Sequence, residues 1–265
     1  KVLFGPNAYL HPSLRGLDAD KNGIPANLSA GGPAGAEDLI IERRHRLVME
    51  MAPRPAGVLL DFGCGDGAQT LLFGRDFHAV IGLDIGAGLL ARLRDEAAAR
   101  GLGGIILPVI YDGKNFPLAD GSVGFAVSFE VLEHVRDEAH ILAELARVTR
   151  PGGTIAMSVP NRWWIFETHG ANLPLLPWNR VPFFSWLPKK VHDRWARARI
   201  YTKNEICGKL SGAGFEIVDS AYVTAPMDVV RWRPLRMILR STLFRNDRTA
   251  FPWMSTAVLV VGRRR

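Results

Sequence analysis

Cysteine is nearly missing from this chain. Cys64 and Cys207 are the two in 265 residues, too few for a disulfide framework and without metal-ligand spacing, which suits a reducing compartment. Long apolar runs are also missing. The longest, such as AVLVV at 257–261, fall far short of the ~20 residues that span a bilayer. The opening KVLFGPNAYL has no sustained apolar core of the secretory kind. No internal repeat or low-complexity tract interrupts the chain. These absences lead to the expectation of a soluble, cytoplasmic protein.

What is present fits one large α/β domain. Apolar residues make up 48% of the chain, enough at this length to bury a sizeable core. The formal charge of +7 comes largely from late segments such as RWRPLRMILRSTLFRNDR and the terminal GRRR. A general basic surface explains that excess without nucleic acid, and peripheral contact with an anionic membrane is the other option it leaves.

Residues 1–36, rich in Gly, Pro and Asn, read as an arm with no sustained period. From residue 37 to 265 one domain is expected. It opens on a helix over 37–51, with Ile40, Leu47, Val48 and Met51 on one face, Arg43, Arg44 and Arg46 elsewhere around it, and His45 among those arginines on a solvated side. Strand-like and helix-like segments then alternate: VLLDF, a helix near 67–75, AVIGLD, GLLARLRDEAAAR, IILPVI, VGFAVSF, DEAHILAELARV and TIAMSV. Such alternation predicts a parallel, doubly wound sheet, with the PGG of 151–153 as a turn before its strand. After Pro160 the rhythm breaks. Residues 161–200 form an insertion dense in Trp, Phe and Pro, read as a cover over the substrate. TKNEICGKLSGAG and FEIVDSAY then resume a helix and a strand, and a second insertion, 224–253, is basic and helical before the last strand, TAVLVVG.

The stretch LLDFGCGDGAQT, residues 59–70, carries the chemistry. Its glycines allow a sharp turn and close backbone approach to a ligand, and GCGDGA fits the dinucleotide pattern G-x-G-x-x-G/A, with Asp84 closing the next strand where an acid would meet ribose hydroxyls. Charge separates the candidate ligands. Asp61 and Asp66 would face a pyrophosphate with carboxylates, which disfavours a nicotinamide cofactor. S-adenosylmethionine has no phosphate, and its sulfonium and ammonium suit an acidic loop.

Three motifs in order, DFGCGDG with LD, then YDGKNFPLADGSVGFAVSFEVLEHV, then RVTRPGGTIAMSVPN, resemble the class I S-adenosylmethionine-dependent methyltransferases, closest to the small-molecule and quinone-type subgroup. The resemblance covers roughly 55–160 strongly and 200–263 in outline. It implies a Rossmann-like α/β fold with a seven-stranded sheet, mostly parallel with an antiparallel last strand. It also implies that the loop Gly63, Cys64, Gly65 and Gly67 holds the methionine part, that Asp84 binds both ribose hydroxyls, and that Ile85 packs on the adenine. Asp112 would lie near the adenine amino group with Gly113 beside it. Ser128, Phe129 and Glu130 would line the methionine side.

Several of these residues have plainer readings. Asp61 can serve the glycine turn rather than the ligand, Asp112 can be a turn residue, and Glu130 or Glu133 can cap or pair. Methyl transfer from a sulfonium is a direct displacement, so the protein aligns the acceptor and, for a hydroxyl, removes its proton. His134, after the fourth strand, is the first choice of base, His169 in IFETHGANL the second, and His192 a weaker third. No metal ligands are assigned. The function expected is methylation of a hydroxyl on a partly apolar small molecule or lipid-like intermediate, giving S-adenosylhomocysteine. N- or C-methylation, RNA methylation and a non-catalytic binding protein with a basic membrane-surface patch stand as alternatives; no Asn-Pro-Pro-aromatic sequence of the amino-methylating type is present.

Overall fold

A computed structural model of the chain describes residues 39–52, 57–166, 169 and 182–265; the arm 1–36 lies outside these. Among the described residues, the first helix is α1 (Leu39–Met51), followed by β1 (Leu59–Phe62), α2 (Thr70–Phe73), β2 (Val80–Asp84), α3 (Ala87–Ala99), β3 (Ile106–Ile110) and β4 (Val123–Phe129). Then come α4 (Glu138–Val148), β5 (Thr149–Pro160), α5 (Lys189–Trp195), α6 (Lys203–Gly212), β6 (Phe215–Thr224), α7 (Arg233–Ser241), β7 (Arg248–Thr249) and β8 (Ser255–Arg264).

The strands form one sheet in the order β3-β2-β1-β4-β5-β8-β6-β7. Strands β1 to β5 pair in parallel. The last strand, β8, is antiparallel to both β5 and β6, as expected. The seven strands anticipated are joined by an eighth of two residues, β7, which the second insertion lays against Tyr222 and Val223 of β6.

Both faces of the sheet are covered, as period-two side chains on parallel strands require. On one face Leu60, Phe62, Ile81 and Leu83 meet Ile141 and Leu145 of α4 and Ile206 and Leu210 of α6. On the other, Leu59, Val80, Phe125 and Val127 meet Leu47 and Val48 of α1 and Leu93 and Ala97 of α3. Local signals set the helix starts. Asp137 caps α4 by accepting from the His140 amide at 3.0 Å, and Thr202 with Glu205 closes a capping box on α6.

Three local expectations change. The helix after the glycine loop is a single turn, Thr70–Phe73, so few unpaired amides are collected there. PGG is not a turn outside its strand: β5 begins at Thr149, and Gly152 at φ +75° sits within it beside a register shift in the pairing with β4. On α1, Arg43 and Arg44 are buried because each reaches a distant partner.

Candidate active site

In an open parallel sheet, ligands bind at the carboxyl ends of strands where the strand order reverses. Here the reversal falls between β1 and β4, which lie side by side with Phe62 opposite Ser128. The glycine loop leaves β1 at that point, and the Glu130–His134 segment leaves β4. Their contact is close. A side chain at Gly63, whose φ is +74°, would place its first carbon 2.2 Å from Val131, so the loop has this path only with glycine.

Asp84 ties the loop to β2. One carboxylate oxygen accepts the Gly65 amide at 2.9 Å and the other the Gly86 amide at 2.8 Å. Gly65 has φ +56° and nothing within 4 Å of where a side chain would begin, which leaves the backbone bare toward the sheet edge. Ile85 lies beside Gly113, 3.9 Å from where a side chain on that glycine would begin. Asp112 is exposed and accepts the Lys114 and Asn115 amides, the turn role that the sequence leaves open.

Other predicted residues face inward. Asp61 is buried and accepts the Thr70 hydroxyl at 2.6 Å; burial, only partly offset by that hydrogen bond, raises its carboxyl to about 7. Cys64 is buried, and burial pushes its thiol well up, so it is an inert packing group rather than a nucleophile. Ser128 is buried. Phe129 stacks on Phe73 with ring centres 6.1 Å apart.

Glu130 has the backbone φ of 54° that non-glycine residues rarely adopt. Its carboxylate pairs with Arg44 at 2.8 Å and accepts from Ser158 Oγ at 3.0 Å, so α1 and β5 hold it in place. Such strain persists where surrounding structure over-determines it, commonly at functional sites. Beside it Glu133 is fully buried. Burial first, and then the neighbouring Glu130 charge, push its carboxyl well up. Neither of its oxygens is in hydrogen-bonding geometry with a described residue. Nε2 of His169 lies 3.6 Å and Nε2 of His134 3.9 Å from Glu133 Oε1.

The two histidines selected from sequence therefore meet. Their rings are edge to face with centres 5.0 Å apart, although one follows β4 and the other belongs to the insertion after β5. The donor atoms of Glu133, His134 and His169 all lie within 4.8 Å of one another. This set can hold a proton among three groups, and its oxygen and imidazole donors also match those that bind a divalent cation. Sequence alone assigns no metal and gives Glu133 no catalytic part. The signal it does offer is an acid next to a histidine in an apolar segment.

His192 is not part of this cluster. It is buried in the insertion against Phe184, ring centres 5.2 Å apart, where Phe184 and Ala196 with Trp195 make a small core of the insertion's own. Trp163, Phe183 and Trp186 are exposed, and Trp178 lies outside the described residues.

Residues 60–157 match a family model described as a methyltransferase domain. A probable S-adenosylmethionine-dependent methyltransferase of Mycolicibacterium smegmatis is 33% identical over 205 residues, covering 75% of this chain and 70% of that protein. The chain belongs to the S-adenosylmethionine-dependent methyltransferases. A ubiquinone biosynthesis O-methyltransferase of Methylococcus capsulatus is 29% identical over 146 residues, 52% of this methyltransferase and 60% of that protein. The fold is shared with an S-adenosylmethionine-dependent methyltransferase from Mesorhizobium loti, whose crystal structure superposes with a TM-score of 0.60 at 22% identity, over 87% of this chain and all of that one. S-adenosylmethionine is the methyl donor. The residues in place suit it: Gly65 leaves open space, and a carboxylate offers about four lone-pair sites, so Asp84 keeps capacity for hydroxyls after accepting two amides.

Proposed function

We propose that this methyltransferase acts on a hydroxyl of a partly apolar small molecule or lipid-like intermediate, with Glu133, His134 and His169 managing the acceptor's proton. The observation that carries the proposal is the buried Glu133 carboxyl with two imidazoles close to the same oxygen. A neutral amine needs no such group, whereas a hydroxyl must lose its proton as the new bond forms. The name of the Methylococcus capsulatus relative also specifies O-methylation.

When bound, the cofactor supplies a methyl group on a sulfonium, open to direct displacement. The chain does the rest. Asp84 would accept from the ribose hydroxyls, Ile85 and Gly113 would border the adenine, Asp112 would stand near its amino group, and the loop Gly63–Gly67 would hold the methionine part. Of the two imidazoles His169 is the more exposed, 17% against 9% for the side chains, so His169 meets the acceptor. His134 and Glu133 sit behind it and hold its ring in position. This reverses the preference drawn from sequence position, because both ring nitrogens of His134 are buried. The aromatic insertion that supplies His169 covers the acceptor and excludes water.

The test is transfer of a labelled methyl group to a panel of phenols and long-chain alcohols, each matched with its amine analogue. Labelling of hydroxyl acceptors, lowered by His169→Ala, is expected. Labelling of the amines alone would overturn the hydroxyl reading.

A further inference from the structure

The second insertion contains an amphipathic helix placed the wrong way round for packing. A surface helix normally turns its apolar stripe to the core, yet no residue of α7 is buried. Trp232 is 67% exposed, Ile238 58% and Leu243 69%, and Leu235 and Met237 are exposed with them. The side that touches the protein is the arginine side: Arg240 donates to the Pro226 carbonyl at 2.7 Å and pairs with Asp228 at 2.5 Å. Phe251 and Trp253, both exposed, pair with ring centres 5.2 Å apart.

The base of this insertion is firmly tied. Buried Arg43 donates to the carbonyls of Thr224 and Ala225, each at 2.9 Å, and to that of Phe244. Arg46 pairs with Asp247 at 2.7 Å. The helix is therefore held in place with its apolar face outward.

Charge identifies the occupant. Residues 224–253 contain six arginines and two acids, Asp228 and Asp247, and both acids are already in ion pairs with arginine. Arg231, Arg233 and Arg245 are exposed around the apolar face. A second copy docking by two-fold symmetry would set arginine against arginine with no spare acid in this segment to compensate. Apolar and indole side chains fringed by arginine match the acyl and headgroup layers of an anionic bilayer.

We infer that the face formed by Trp232, Leu235, Ile238 and Leu243 with Arg231 and Arg233 docks this protein onto the surface of an anionic membrane. Strand β6, which leads into this insertion, runs parallel to β5, since both are antiparallel to β8. The docking face thus leaves the sheet at the same edge as the candidate active site, and a docked molecule holds that edge near the bilayer. The inference stands independently of which atom is methylated.

The experiment is sedimentation of the full chain with vesicles of phosphatidylcholine, alone or mixed with phosphatidylglycerol. Binding is expected to the mixed vesicles and to fall as salt rises. Arg231→Gln and Arg233→Gln should each weaken it about fivefold, corresponding to ~1 kcal/mol per basic residue at such a surface, while Arg→Lys at the same positions retains it. The pair Leu235→Ser with Ile238→Ser should weaken it at least about tenfold, with the thermal transition and S-adenosylhomocysteine affinity unchanged, since both side chains are exposed. Equal sedimentation of wild type and variants, or binding that ignores phosphatidylglycerol, would overturn the inference. So would a concentration-dependent dimer that the Leu235→Ser/Ile238→Ser change abolishes, which would make the face a contact between copies.

Discussion

The half of the sheet built from β1, β2 and β3 and the half that carries the two insertions are organised in opposite ways. In the first, function follows from backbone. Gly63 can take its path only because it has no side chain, and Asp84 ties the loop to β2 by accepting the Gly65 amide, 19 residues back in sequence. In the second, function comes from side chains brought together over long separations. Arg44 reaches Glu130, His169 reaches Glu133, and Arg43 reaches carbonyls about 180 and 200 residues along. On the function and the docking proposed above, the first half binds the ligand common to the family, and the second chooses acceptor and location.

The largest effect that would sharpen this contrast is catalytic. His169→Ala should lower methyl transfer about 10²–10⁴-fold, the range for a general base, and the deficit should shrink as pH rises toward the acceptor's own pKa. Steady-state rates across pH check this. A deficit that does not change with pH would give His169 a positioning role, and a larger, pH-dependent loss in His134→Ala would return the base to the residue after β4.

Asp61 offers a test of stability in the first half. Its carboxyl is raised from 3.8 to about 7 by burial. A raised carboxyl favours the fold while protonated, so its contribution is complete below about pH 4 and is lost as pH climbs through about 7. Asp61→Asn, neutral throughout and still able to accept from Thr70, should escape that loss. Its stability relative to wild type should rise between those limits by up to about 4 kcal/mol, at ~1.4 kcal/mol for each pH unit crossed. Denaturant titrations at several pH values give the difference; a flat one would show that Asp61 stays ionised at no cost.

Much of the first half was legible in the sequence because its requirements are local. Glycine spacing, the acid at the end of β2 and the alternation of strand and helix each announce themselves within a short window, and β1 to β6 and β8 fall within a few residues of their predicted positions. The second half was legible only in part. His134 and His169 stand out separately, and nothing in the sequence shows that their rings lie 5.0 Å apart. Glu133 reads as a cap or pairing residue, since burial is not visible in a string of letters. Arg43 and Arg44 look like a solvated stripe until their partners are known. The arginine-rich character of 224–253 was plain, but which face of α7 points outward depends on Arg240 and its contacts with Pro226 and Asp228.

A smaller effect concerns the cofactor's ribose. Asp84→Ala should weaken S-adenosylhomocysteine binding by roughly 1.5–3 kcal/mol, the scale of hydrogen bonds to a charged group, as read by calorimetry. Smaller still is Gly65→Ala. With open space around it, the cost is confined to backbone strain at φ +56°, on the order of 1 kcal/mol in thermal stability. A much larger loss would mean that the loop tolerates no change even where nothing crowds it.

The central claim is that cofactor binding and acceptor chemistry reside in separable halves of one sheet edge. Its most direct test is calorimetric titration of S-adenosylhomocysteine into the Glu133→Gln/His169→Ala double variant. Glutamine preserves the shape of the buried acid, so the fold is retained. Affinity within a few-fold of wild type, in protein that no longer transfers methyl groups, is the predicted result. Loss of S-adenosylhomocysteine binding in the folded double variant would contradict the claim and place Glu133 and His169 in the cofactor pocket itself.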